Sequence, residues 1–346
     1  MQFKFETERV ASTIRRRGAK RVMLQLPEGL KKYGVGLARE LEAQTSAVIY
    51  VSCDPCYGAC DLPLDEARLL NVDLIIHYGH SKFAFEETPN VIYVSAEANV
   101  DVEEVLKKAL PLLEDHLRIG LATTIQHITQ VNRMAELLKT AGKEVVIGEA
   151  AGHATHAGQV LGCDYATARR VDEKVDAFLY VGGGDFHPLG LALATDKPVV
   201  AADPYLNTAK SVSEQAQRIR KQRNAAMARL LQARHIGIIV CSKSHQAMPS
   251  AAEELKQRLD KDNRESVLLV LREITLEALD NFPNIEVFIN TGCPRIGLDD
   301  SERYSRPIVN AAEAMIALSL EMEWKPRHVR EEEGVRVCSV KAETSS

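Results

Sequence analysis

Short apolar runs alternate with amphipathic segments along almost the whole chain. The runs RVMLQL, AVIYVS, VDLIIHY and NVIYVS are rich in β-branched residues and read as strands. Residues 3–17, 31–44, 64–70 and 102–113, between or after them, space their apolar positions as helices do. At Leu117 the order begins again: RIGLATT, KEVVIGEA, VDAFLYV and KPVVAADP predict strands, residues 129–141 a helix, and residues 211–232 a helix that closes the set. A third cycle opens at His235 with IGIIVCS and continues through SVLLVLR, EVFIN and RPIVN, with helices over 251–259 and 275–280. Strands that alternate with helices predict an α/β fold whose parallel sheets are covered on both faces. The two restarts predict three related domains, residues 1–116, 117–233 and 234–346, each a short parallel sheet flanked by helices. Residues 325–346, which include Cys338, predict a charged, solvated tail.

Composition narrows the class. Apolar content of 45%, charged content of 26% and a net charge of −5 describe an ordinary globular protein. They argue against a nucleic-acid-coating one. The first residues lack an apolar signal segment and no run approaches a membrane span, so a cytoplasmic protein with no membrane partner is expected. Seven cysteines without a secretion signal point to metal or redox chemistry rather than a disulfide framework.

The cysteines themselves carry the chemistry. Cys53, Cys56 and Cys60 crowd into VSCDPCYGAC directly after a strand, and such spacing suits iron–sulfur or zinc binding. One reading has these three chelate a single metal. Another takes one thiol per repeat: Cys60 after the second strand of the first, Cys163 in GQVLGC after the second strand of the second, and Cys293 in NTGCPR after the third strand of the third. Ligands in parallel α/β sheets gather beyond the carboxyl ends of the strands. Three domains packed about a pseudo-threefold axis would bring these thiols to one point, to hold a 4Fe-4S cluster by three irons and leave the fourth open. Cys241, ending the apolar run IIVC, fits a buried packing role.

The ordered strings DPCYGAC, HYGHS, TTIQH, GQVLGC, GGGDFHPLG and NTGCPRIGLDD closely resemble the archaeal 2-(3-amino-3-carboxypropyl)histidine synthases, iron–sulfur enzymes that begin diphthamide formation. The resemblance runs from about residue 24 to 300. It implies Cys60, Cys163 and Cys293 as cluster ligands, with Cys56 in the motif but outside the ligand set and Cys53 an extra. It implies a homodimer that takes S-adenosylmethionine as co-substrate, an electron from a donor of unknown identity, and translation elongation factor 2 as protein substrate. The 3-amino-3-carboxypropyl group would pass to C2 of a histidine imidazole by a radical route.

Candidate cofactor contacts follow from chemistry. Gly182, Gly183 and Gly184 follow a strand and permit close approach to backbone amides, or form a plain turn. His187 offers a hydrogen bond to a carboxylate. Gln25 and Glu28 end the first strand, where Glu28 also serves as first-turn helix charge. Arg295, two residues after Cys293, is placed to neutralise a cluster or carboxylate. His77 and His80 in HYGHS suit proton relay or loop hydrogen bonding. Two rival functions remain: a 4Fe-4S hydro-lyase resembling quinolinate synthase, and a zinc-binding scaffold built on Cys53, Cys56 and Cys60 with a fourth ligand such as His77.

Overall fold

The computed structural model describes residues 3–83, 88, 90–243, 245–299 and 304–318; Cys338 and the charged tail lie outside them. By its internal contacts the chain divides into two compact units, Met1–Val212 and Ser213–Ser346.

The first unit carries strands β1 (Phe3–Lys4), β2 (Arg21–Gln25), β3 (Val48–Val51), β4 (Leu74–Tyr78), β5 (Val91–Val94), β6 (Glu97–Ala98), β7 (Arg118–Thr123), β8 (Glu144–Val146), β9 (Ala177–Val181), β10 (Val199–Asp203) and β11 (Thr208–Ser211). The second carries β12 (His235–Cys241), β13 (Glu265–Leu271), β14 (Val287–Asn290) and β15 (Ile308–Asn310). Among the described residues these form a two-stranded pair, β1-β6, and three larger sheets, ordered β3-β2-β4-β5, β8-β7-β9-β10-β11 and β13-β12-β14-β15. In each, the first strand lies between the second and third, and the fourth lies outside the third. All pairs in that shared order are parallel.

The register repeats too. Val22 pairs with Leu74, Ile119 with Ala177 and Ile236 with Val287. Just ahead of the third strand in each sheet stands a carboxylate that accepts backbone N–H groups from the start of the first strand. Asp73 accepts from Lys20 and Arg21, both at 2.8 Å. Asp176 accepts from Arg118 at 2.8 Å, and Glu286 from Arg234 at 2.6 Å. These bonds tie the amino ends of the two central strands together. In the second and third sheets a glycine of the first strand faces a buried ring of the third: a Cβ on Gly120 would come within 2.4 Å of Phe178, and on Gly237 within 2.7 Å of Phe288.

Helix allegiance differs from the expected division. Val10 and Ile14 of the helix Thr7–Arg17 pack on the first sheet. Val105 and Leu106 of Glu103–Ala109 pack with Ile119 and Leu179 of the second. Ala226 and Leu230 of Ser213–Gln232 pack with Ile236 and Val287 of the third. Each sheet thus takes the helix that precedes it, whereas boundaries at 117 and 234 assign the last two to the sheet before. An apolar stripe marks a buried helix face without naming the sheet it meets.

Other departures are local. The opening helix begins at Thr7, because Glu6 adopts a left-handed conformation (φ 51°) and Phe3–Lys4 pairs antiparallel with β6. Phe5 instead packs its ring on Tyr33 and Tyr78. Tight 3-10 turns at Glu28–Tyr33 and Ile125–Gln130 lead into the helices Gly34–Thr45 and Val131–Thr140. The second sheet gains an antiparallel edge, β11 on β10. Among the described residues no helix is long and apolar enough to cross a membrane.

Candidate active site

The sequence motifs interlock at the carboxyl ends of the first two sheets. The HYGHS loop leaves β4, and two glutamines of the second sheet's loops hold it. Gln126 of TTIQH donates to the carbonyl of Gly79. Gln159 of GQVLGC donates to Ser81 Oγ at 2.6 Å, while its own Oε1 accepts from the N–H of Thr155 and His156 at 3.0 and 3.2 Å. Gln159 is fully buried, so these partners replace water completely. A bridge to Thr123 fixes the Gln159 backbone beside the end of β7.

Four residues on, Cys163 stands exposed in the turn of residues 161–164, closed by reciprocal backbone bonds of 2.9 and 3.3 Å between Leu161 and Asp164. Asp164 in turn accepts from the N–H of His153 and Ala166 at 2.7 and 2.8 Å. A Cβ on Gly162 would come within 2.3 Å of the Phe186 ring, so VLGC needs its glycine because GGGDFHPLG lays Phe186 against it. His187, half-buried, stacks on Tyr180 with ring centroids 5.9 Å apart. Gly182 and Gly183 make room for the Tyr180 hydroxyl and the Tyr205 ring, and Gly184 alone takes a positive φ (69°) with open space beside it. Of the three, Gly184 offers a ligand the clearest approach. Asp203 orders this loop by accepting from the N–H of Gly184 and Tyr205 at 2.9 and 2.8 Å.

Cys60 is half-buried, and its neighbour Asp61 ties it to the same network. Gln25 donates to the Asp61 carbonyl at 2.5 Å and accepts from His77 Nδ1 at 2.6 Å. Both ends of the Gln25 amide are therefore engaged within the protein. Glu28 is exposed and pairs with Lys31 at 2.6 Å. The Lys31 ammonium also reaches the carbonyls of Cys53 and Asp54 at 2.9 and 2.8 Å, which pins the start of the cysteine loop. Cys53 is exposed and Cys56 buried. Burial pushes the Cys56 thiol up to about 12.

In the second unit two asparagines shape the loop of Cys293. Asn290 donates to the Cys293 carbonyl at 2.8 Å and Asn310 to the Pro294 carbonyl at 2.8 Å, and the two amides bond each other at 3.0 Å. The buried ion pair of Arg223 with Glu313 braces the following turn, since Arg223 also donates to the Gly297 carbonyl. Arg295, two residues after Cys293, is buried here. Cys241 is buried with its Cβ directly under Gly292, the packing role expected of it.

Sequence reasoning missed two features. His127 of TTIQH is buried beside Tyr205, and burial lowers its pKa to about 4 against a smaller upward pull from Asp203. The second is a donor cluster that the zinc reading named only in part, with Cys56 and His77 but without His80: among the described residues, Cys56, His77 and His80 each place a ligand atom within 4.8 Å of the others. The spacing of Cys53, Cys56 and Cys60 draws attention away from it, because His77 and His80 come from a different strand end.

The family model for diphthamide synthesis proteins matches residues 26–329. The chain is 35% identical over 340 residues to the 2-(3-amino-3-carboxypropyl)histidine synthase of Pyrococcus horikoshii, covering 96% of this chain and 97% of that protein. It is 31% identical over 333 residues to 2-(3-amino-3-carboxypropyl)histidine synthase subunit 1 of Schizosaccharomyces pombe, covering 93% of this chain and 75% of that one. The crystal structure of Dph2 from Pyrococcus horikoshii with a 4Fe-4S cluster superposes with a TM-score of 0.83 at 34% identity, over 96% of this chain and 97% of that chain.

Proposed function

Because the chain belongs to the diphthamide synthesis protein family, we propose that it is a 2-(3-amino-3-carboxypropyl)histidine synthase, which transfers the 3-amino-3-carboxypropyl group of S-adenosylmethionine to C2 of a histidine in translation elongation factor 2. Cys60, Cys163 and Cys293 are the proposed protein ligands of one 4Fe-4S cluster per subunit. The observation that carries this reading is the placement of those thiols. Each lies beyond the carboxyl ends of a sheet, the three sheets share one strand order, and hydrogen bonds through Gln25, His77, Gln126 and Gln159 link the loops of the first two. The reading asks the three sheets to stand about a pseudo-threefold axis, so that Cys293 joins the other two.

The donor set fits such a cluster: three cysteine sulfurs, each at least partly accessible, with no competing disulfide among the described residues. When bound, the cluster supplies the electron that breaks the bond from the sulfonium sulfur to the methionine γ-carbon, giving methylthioadenosine and a 3-amino-3-carboxypropyl radical. The protein's own part is to orient and to neutralise. Arg295 sets a buried positive charge two residues from Cys293, suited to the charge of the thiolates or of the substrate carboxylate. The open space beside Gly184 admits a ligand, and the half-buried imidazole of His187 is chemically suited to a carboxylate or ribose. Glu28, bound to Lys31, keeps its second oxygen for an amine. A cytoplasmic homodimer, supplied by an electron donor of unknown identity, completes the proposal.

The test is anaerobic reconstitution with iron and sulfide, then incubation with elongation factor 2, S-adenosylmethionine and dithionite. One histidine of the factor should gain the mass of the transferred group, with methylthioadenosine formed in equal amount. Unmodified factor beside an intact cluster, or 5′-deoxyadenosine as the product, would overturn the assignment.

A further inference from the structure

The unit Met1–Val212 gathers a second set of soft donors that uses none of the three cluster thiols. One ligand atom each from Cys56, His77 and His80 lies within 4.8 Å of the other two. Cys56 and His77 are buried and His80 is half-buried. Cys56 comes from the loop after β3, whereas the histidines come from the end of β4.

Hydrogen bonds determine which lone pairs face the gap. The Gln25 amide N–H donates to the Asp61 carbonyl at 2.5 Å, which turns Gln25 Oε1 towards His77 Nδ1 at 2.6 Å. That nitrogen must then carry the proton, and His77 Nε2 is left as the lone pair, 2.9 Å from His80 Nδ1. Burial lowers the pKa of both imidazoles, so neither is charged at neutral pH. A histidine held at one nitrogen by an amide oxygen, with the other free for a cation, is the usual arrangement of metal-bound imidazole.

We propose that Cys56, His77 and His80 form a binding site for one zinc-class divalent cation, with Cys56 Sγ, His77 Nε2 and His80 Nδ1 as ligands and a fourth position for water. Zinc–nitrogen bonds of about 2.0–2.1 Å and a zinc–sulfur bond of about 2.3 Å place tetrahedral donors about 3.4–3.6 Å apart. The two nitrogens at 2.9 Å therefore open slightly, and the widest separation, no more than 4.8 Å, closes by about an ångström at most, a change within reach of side-chain rotation. The proton shared by the imidazoles moves to His80 Nε2, and the thiol proton of Cys56 leaves to solvent. One proton is released per cation bound. The bound cation staples the loop that carries Cys60 to the end of β4, and so fixes the position of that thiol.

The test uses the full chain, purified anaerobically without cluster, in a Cys163→Ala, Cys293→Ala background that leaves no set of cluster thiols to compete for the metal. Cobalt(II) is added first, followed by zinc in competition with a chromophoric chelator. One equivalent should bind with a sulfur-to-cobalt charge-transfer band, releasing one proton. Cys56→Ser should remove that band, and His80→Gln should weaken zinc binding about tenfold or more, while Cys53→Ser and Cys60→Ala leave both unchanged. Should Cys56→Ser not fold, His80→Gln carries the test alone. A charge-transfer band that survives Cys56→Ser, disappears with Cys60→Ala, or never forms in the parent protein would overturn the proposal.

Discussion

The two ends of the sheets tell different stories. At the amino ends the three repeats do the same thing: Asp73, Asp176 and Glu286 each receive backbone N–H groups from the start of the neighbouring strand. At the carboxyl ends they diverge. Counted from those carboxylates, His80, Gly183 and Cys293 occupy equivalent positions one residue after Gly79, Gly182 and Gly292. One position thus holds an imidazole, a bare backbone and a thiol in three copies of one topology. The shared end maintains the fold, and the divergent end is where side chains are free to become chemistry.

This contrast can be broken in several ways, and the largest effect is expected where the divergent ends are stitched together. Gln159→Leu leaves the N–H groups of Thr155 and His156 and the Ser81 hydroxyl without their partner. Urea unfolding should register a loss of about 2–4 kcal/mol, since the buried Ser81 hydroxyl loses its partner at about 1–3 kcal/mol while the N–H groups of the exposed Thr155 and His156 lose less. Next come the shared sheet interiors. Gly120→Ala and Gly237→Ala each drive a methyl into a buried ring and should cost a similar ~1–3 kcal/mol, an equality expected only if the two sheets are true equivalents.

The two ends should also fail in different pH windows. Burial holds His127, at the divergent end, neutral down to about 4, against 6.5 when exposed. The unfolded chain takes up that proton first, so stability is full above about pH 6.5 and declines as pH falls towards 4. His127→Asn should flatten this slope, which amounts to roughly 3 kcal/mol when fully developed. The carboxylates act lower. The Arg118 guanidinium holds Asp176 at about 2, and backbone N–H groups lower Asp73 and Glu286. Their contribution is complete above about pH 5 and is lost as pH falls through the lowered carboxylate values, for Asp176 towards 2. Asp73→Asn, Asp176→Asn and Glu286→Gln together should flatten only that lower window, by the smallest amount of the set. Unfolding midpoints measured across pH separate the two.

The apolar runs announce every strand of the three shared sheet orders: the central strands are buried and have little choice of composition, and the edge strands β3 and β13 keep their β-branched residues although Val48 and Val270 are exposed. The edge strand β11, TAKS, has no such run; it exists because Asp203 folds the turn that brings it back onto β10. The clamping carboxylates look like ordinary surface charges until the register sets them opposite a strand start. Cys60, Cys163 and Cys293 are visible as loop thiols after strands, while the common purpose proposed for them comes from the ordered motifs. The gathering of Cys56 with His77 and His80 depends on one loop folding over another strand's end, which spacing along the chain does not encode. The allegiance of Glu103–Ala109 and Ser213–Gln232 is hidden for the same reason: packing chooses the sheet.

The measurement closest to the central claim is the iron and sulfide content of anaerobically reconstituted single variants. Cys60→Ala, Cys163→Ala and Cys293→Ala should each fold as the parent does and lose the cluster of about four irons, with its broad visible absorption. Cys53→Ala and Cys241→Ala should keep it. Full iron in any of the first three, or its loss in Cys53→Ala, would contradict one cluster held by one thiol from each repeat.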